Sequence, residues 1–184
     1  MTEAAVEFTG VKKQQGNFTL GPLSLAIPTG VIFGLVGPNG AGKTTTFDLL
    51  AGLGRADHGS IRVLGMDSVR NEVAIKRRIA YSSPQTSYAA WRSVGGAIEF
   101  ISGFYADWDA ARCDELLTIF ALNPWQRISE LSFGEVNRLG LLIALARDPD
   151  LLILDEPTTG LDPVVRQSFL PTCCDACSVP VKRS

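Results

Sequence analysis

Residues 37–44 read Gly37-Pro38-Asn39-Gly40-Ala41-Gly42-Lys43-Thr44, a complete G-x-x-x-x-G-K-T phosphate-binding loop. Glycines at these positions let successive backbone N–H groups curl round phosphate oxygens with no Cβ in the way. A helix opening at Gly42 adds its free N-terminal N–H groups and the positive end of its dipole. Lys43 has the reach for β- and γ-phosphates, and the Thr44 hydroxyl suits a Mg²⁺ ion. Upstream, Val31-Ile32-Phe33-Gly34-Leu35-Val36 is a β-branched, apolar run that predicts a buried parallel strand. Downstream, Thr44 to Leu50 predicts a helix ending near Gly52. Strand, glycine loop and helix in this order imply binding of a nucleoside triphosphate.

A second chemical signal lies far along the chain. Leu151-Leu152-Ile153-Leu154 predicts a buried strand that ends in Asp155-Glu156. An Asp at the carboxyl end of such a strand can serve as the anionic partner of Mg²⁺. Glu156 beside it can orient and polarise a water for in-line attack on a γ-phosphate. Between the two signals strand and helix patterns alternate, which predicts an α/β fold with a largely parallel sheet. The first thirty residues differ: Val6-Glu7-Phe8 and Phe18 to Ile27 alternate apolar and polar residues, predicting a small antiparallel layer that turns around Gly16-Asn17. Short strands are expected at Ser60 to Leu64 and at Ile79 to Ser82, the latter leading to Gln85. Val94 to Leu122 reads as helical, with Asp107 as an N-cap and Leu116, Leu117, Phe120 and Ala121 as its apolar face. A further helix follows Gly134, with Leu139, Leu142, Ile143 and Ala146 inward.

Composition narrows the functional classes. The 184 residues suffice for one domain with a sizeable core, with or without an appendage. A net charge of −2 argues against a nucleic-acid surface, which needs clustered Lys and Arg. Lys12-Lys13 and Lys76-Arg77-Arg78 read as solvated faces. The acidic N-terminus has no apolar core, so no signal peptide is expected. No run reaches the roughly 18 apolar residues of a membrane helix. A soluble cytosolic protein, or one held at a membrane by a partner, is the expectation. Of the four cysteines, Cys113 reads as a small core residue, while Cys173, Cys174 and Cys177 cluster near the C-terminus. His58, the only histidine, has no spacing that would complete a zinc site with them.

Taken in order over residues 3 to about 169, these motifs resemble the nucleotide-binding subunit of ATP-binding cassette (ABC) transporters. Gly37 to Thr44 is similar to the Walker A loop, Gln85 to the Q-loop glutamine, and Leu131-Ser132-Phe133-Gly134-Glu135 to the LSGGQ signature. Leu151 to Glu156 is similar to Walker B with its catalytic glutamate, and Gly160-Leu161-Asp162 to the D-loop. Phe104 to Asp109 resembles the bacterial ABC-2 exporter branch.

The resemblance implies a P-loop NTPase core with a mostly parallel sheet, a small N-terminal antiparallel β layer and a helical subdomain at about 87–130, all within a cassette of residues 1–170. It implies ATP and Mg²⁺ as cofactors, with Gly37 through Thr44 and Thr45 on the nucleotide, and Thr44, Gln85 and Asp155 on the metal. Glu156, Lys43 and Gln85 are the implied catalytic groups. Ser132, Phe133, Gly134 and Glu135 would meet the ATP of a second nucleotide-binding subunit in a head-to-tail dimer, with Asp162 in the D-loop. A separate membrane permease would be gripped by the helical subdomain at the inner face of the membrane, so that ATP binding and hydrolysis drive export. An adenine-stacking aromatic is implied near the N-terminus. Gln14-Gln15 stands there, which leaves Phe18 as the candidate. An ATP-binding fragment without turnover, inactive or regulatory, and a non-transport ABC ATPase are the alternatives.

Three departures stand out. Phe133 replaces the second glycine of the signature, where a side chain crowds the partner's ATP. Glu135 replaces glutamine and sets a carboxylate near phosphates, which weakens binding modestly. The helical pattern then stops at Pro171, and residues 171–184 form an atypical tail holding three of the four cysteines, with no histidine after His58 to act as the family's switch residue. By the resemblance, a C-terminal strand that belongs between the Walker A and Walker B strands is missing. Either those two strands pair directly or the core is left edge-exposed. The expectation is a truncated cassette whose tail comes from a shifted reading frame or a premature end.

Overall fold

The computed structural model describes residues 4–159, in two compact units that divide at Ile79. The expectations for Asp162, for the tail and for Cys173, Cys174 and Cys177 fall outside the described residues.

In the first unit the alternating N-terminal pattern gives a hairpin. Strand β1 (Ala4–Gln15) pairs antiparallel with β2 (Phe18–Pro28), and Gln15 opposite Phe18 leaves Gly16-Asn17 as the turn. Strand β3 (His58–Val63) pairs with the other edge of β1, and β4 (Met66–Asp67) completes the order β2-β1-β3-β4. Val6 stands opposite Val63, and Phe8 opposite Ile61, so one face carries apolar cross-strand pairs, all four buried. Helix α1 (Lys43–Leu50) follows the phosphate loop as expected and buries Leu49 and Leu50. Helix α2 (Glu72–Arg78) is short and buries Ile75.

The expected strand at Val31–Val36 does not form. No residue of that run enters a ladder among the described residues, and Ile32 and Val36 are 71% and 94% exposed. A strand persists only where its N–H and C=O groups find partners.

In the second unit, β5 (Ile79–Ser82) and β6 (Leu151–Leu154) form a two-stranded sheet, at the bounds the sequence predicts. Among the described residues it is accompanied by the α-helices α3 (Val94–Ser102), α4 (Ala110–Ile119) and α5 (Phe133–Leu145). Their buried faces meet in one cluster, with Leu139 and Leu142 of α5 alongside Val94, Ala97, Cys113, Leu116 and Phe120. Leu139, Leu142, Ile143 and Ala146 are buried as predicted, and Cys113 is the small core residue expected. Helix α5 lies so close to β5 that a Cβ on Gly140 would stand 3.1 Å from Ser82 Oγ.

Two local expectations are corrected. Asp109, not Asp107, caps α4: its carboxylate accepts from the Arg112 N–H at 2.8 Å, while Trp108 N–H is spent on a turn to Tyr105 O. Ala121 is exposed and lies beyond the helix. It takes φ +50°, its N–H bonds Thr118 O, and the next N–H, of Leu122, bonds Leu117 O. That pair of bonds is a Schellman stop, which turns Ala121 off the apolar face.

Candidate nucleotide-binding site

The phosphate loop is shaped by two left-handed glycines, Gly40 at φ +79° and Gly42 at φ +89°. Gly42 caps α1 with no side chain, so the first-turn N–H groups of the helix have no side-chain partner of their own. Space as well as angle requires a glycine there: a Cβ on Gly42 would lie 2.8 Å from Phe18 Cζ and 2.8 Å from Leu20 Cδ1. Phe18, the stacking candidate, thus packs against the loop itself. Lys43 folds back and donates to Gly37 O at 2.8 Å and Pro38 O at 2.9 Å. Thr45 donates to Gln15 Oε1 at 3.2 Å, a link between loop helix and hairpin that sequence inspection missed.

In the second unit Asp155 and Glu156 leave β6 in opposite situations. Asp155 is 5% exposed, its N–H bonds Ser82 O, and its carboxylate has no protein partner among the described residues. A buried carboxylate with no protein partner is a hard anionic oxygen donor of the kind Mg²⁺ takes. Glu156 is exposed and takes φ +48°, a conformation that costs a non-glycine residue about 1–3 kcal/mol. Its Oε2 accepts from Thr159 Oγ1 at 3.1 Å, and its carbonyl from the Thr159 N–H at 3.0 Å. Thr159 O in turn accepts from the amide of Asn137, a buried residue of α5, at 2.6 Å. Neither Asn137 nor Thr159 was singled out from sequence. Gln85 is exposed after β5, with its N–H on Ser83 Oγ at 3.3 Å.

The signature segment is a helix start. Ser132 caps α5 in a capping box, accepting from the Glu135 N–H at 3.3 Å while Glu135 Oε2 accepts from the Ser132 N–H at 2.8 Å and from its hydroxyl at 2.7 Å. These bonds, the hydroxyl's first, hold the Glu135 carboxyl below the usual carboxylate range. Phe133 is more than half exposed beside them, and Gly134 lies in the first turn.

A glycine loop opening a helix, with an acidic pair closing an apolar strand, defines a P-loop nucleotide-binding protein. The chain belongs to the ABC transporter family, whose sequence model matches residues 20–159. It is 40% identical over 177 residues to the Nod factor export ATP-binding protein I of Paraburkholderia xenovorans, covering 90% of this chain and 57% of that protein. It is 38% identical over 171 residues to the daunorubicin resistance ATP-binding protein DrrA3 of Streptomyces coeruleorubidus, covering 89% and 54%. The chain therefore spans little more than half the length of these relatives. Among solved structures, the ATP-binding subunit of an ABC transporter superposes with a TM-score of 0.84 at 22% identity, over 95% of this chain and 75% of that one. The ATP-binding cassette MJ0796, in a dimeric post-hydrolysis state with ADP and Pi, gives 0.82 at 20% identity, over 94% and 83%. These two likenesses establish the α/β P-loop fold of an ABC ATPase. Among the described residues no helix is long and apolar enough to cross a membrane.

Proposed function

We propose that this chain is the ATP-binding and ATP-hydrolysing subunit of an export system, working with a separate membrane permease and a second nucleotide-binding subunit at the cytoplasmic face of the membrane. The observation that carries the reading is the order of family motifs along a chain of that family, from Lys43 to Glu156. Residues Gly37 to Thr45 cradle the phosphates, with Lys43 turning from its carbonyl partners to the β- and γ-phosphates. Thr44, Asp155 and Gln85 would hold Mg²⁺, which would supply neutralisation of phosphate charge. Glu156 takes the proton of the attacking water as that oxygen bonds the γ-phosphorus and the bond to the β,γ-bridging oxygen breaks, giving ADP and phosphate. Ser132, Phe133, Gly134 and Glu135 face the nucleotide of the second subunit, head to tail, and Asp162 belongs to the D-loop.

Lys43→Ala should abolish ATP binding, and Glu156→Gln should bind ATP yet release no phosphate. Unimpaired turnover in Glu156→Gln would overturn its assignment as the base. A second reading, ATP capture without turnover, draws on the exposed segment 31–36 that precedes the phosphate loop and enters no ladder among the described residues. An ATP-dependent rise in the unfolding temperature of the wild-type chain, with no phosphate release, would favour it.

A further inference from the structure

One hydrogen bond joins the signature helix to the acidic turn after β6, two more close that turn on Glu156, and the family motifs name none of their donors. Asn137 sits in the interior of α5, is 9% exposed, and spends its side-chain amide on the Thr159 carbonyl at 2.6 Å. Thr159 closes a turn onto Glu156 by its N–H and grips one carboxylate oxygen, Oε2, by its hydroxyl. Oε1 of Glu156 is left without a protein partner among the described residues.

We propose that Asn137 and Thr159 are positioning residues for hydrolysis: Asn137 pins the acidic turn to α5, and Thr159 fixes Glu156 so that Oε1 presents to the attacking water. The inference rests on Glu156 being the general base. An exposed carboxylate rotates about its last bonds and places both oxygens interchangeably, whereas a donor fixed on one oxygen selects the other. The left-handed backbone at Glu156 makes the case stronger, since such a conformation persists only where its surroundings over-determine it. Asn137 lies five positions beyond Ser132 on the same helix, about 7.5 Å along its axis at 1.5 Å per residue. One rigid element therefore carries both the signature serine and the pin that holds the base.

The test compares wild type, Thr159→Val, Thr159→Ser and Asn137→Ala in Mg-ATP turnover and in binding of a fluorescent ATP analogue. Thr159→Val should lower kcat about tenfold, the scale of one orienting hydrogen bond, with KM and analogue affinity within about twofold. Thr159→Ser, which keeps the hydroxyl, should restore kcat. Wild-type kcat in Thr159→Val, or equal loss in Thr159→Ser, overturns the proposal. Analogue binding with no turnover in wild type sinks the hydrolytic reading instead. Amide exchange then decides the pin: faster exchange of peptide 156–159 in Asn137→Ala supports it, and unchanged exchange overturns it.

Discussion

Glu135 Oε2 accepts two hydrogen bonds from Ser132, one from the hydroxyl at 2.7 Å and one from the backbone N–H at 2.8 Å. The serine expected to meet a partner's phosphate is thus already engaged by the residue that departs from the signature. The same carboxylate plays two parts, as a cap that starts α5 and as a negative charge at a position where phosphate is expected.

Glu135 gives a stability difference with a definite sign. Folding lowers its pKa, so it stabilises the fold above its unfolded value of about 4.3, and that contribution disappears as pH falls through the folded value. Glu135→Gln should therefore cost stability near neutral pH and progressively less in acid. Urea unfolding midpoints at about pH 7 and pH 3.5 check this, and an equal cost at both would show that the charge plays no part. Ser132→Ala removes the cap itself and should cost about 1 kcal/mol.

A side chain at Gly42 is costly in both angle and space. Gly42→Ala must keep a left-handed backbone and push its Cβ into Phe18 and Leu20, at an expected cost of about 1–3 kcal/mol. The rise in unfolding temperature with Mg-ATP should vanish with it. Adding Phe18→Leu should recover part of the stability, because the steric component is relieved and the backbone component is not. Thermal scans of the single and double variants, with and without Mg-ATP, make the comparison.

Cys113 sets an alkaline limit. Burial, then the nearby Asp114 and Asp109 carboxylates, push its thiol up to about 11. A group whose pKa folding raises supports the fold below its unfolded value, and that support is lost as pH climbs through the folded value. Stability should decline between about pH 9 and 11, and Cys113→Ala should flatten that decline. Alkylation at pH 8, followed on the peptide holding Cys113, should be slow until urea opens the helices around α5.

What was legible in the sequence was whatever one segment decides for itself. The bounds of β5 and β6 follow from short apolar runs stopped by polar residues, and the β1–β2 hairpin follows from alternation broken at Gly16-Asn17. The phosphate loop carries its own glycines. Val31–Val36 is as apolar as β6, yet composition cannot say whether a neighbouring strand stands ready to pair. Asp107 and Asp109 are equally good caps on paper, and the choice fell to a turn at Trp108. The Asn137–Thr159 bond joins residues 22 apart in sequence, and no local pattern announces it.

Asp109, which caps α4, also donates its own N–H to the carbonyl of Ala146 just past the end of α5, at 3.0 Å. One helix is thereby bolted at its start to the finish of the other, and the shared leucine core fills the space along them. The start of α4 and the finish of α5 are therefore held at a fixed spacing by the backbone itself. Ser132 and Asn137 lie on the helix so anchored, and Thr159 ties that helix to Glu156.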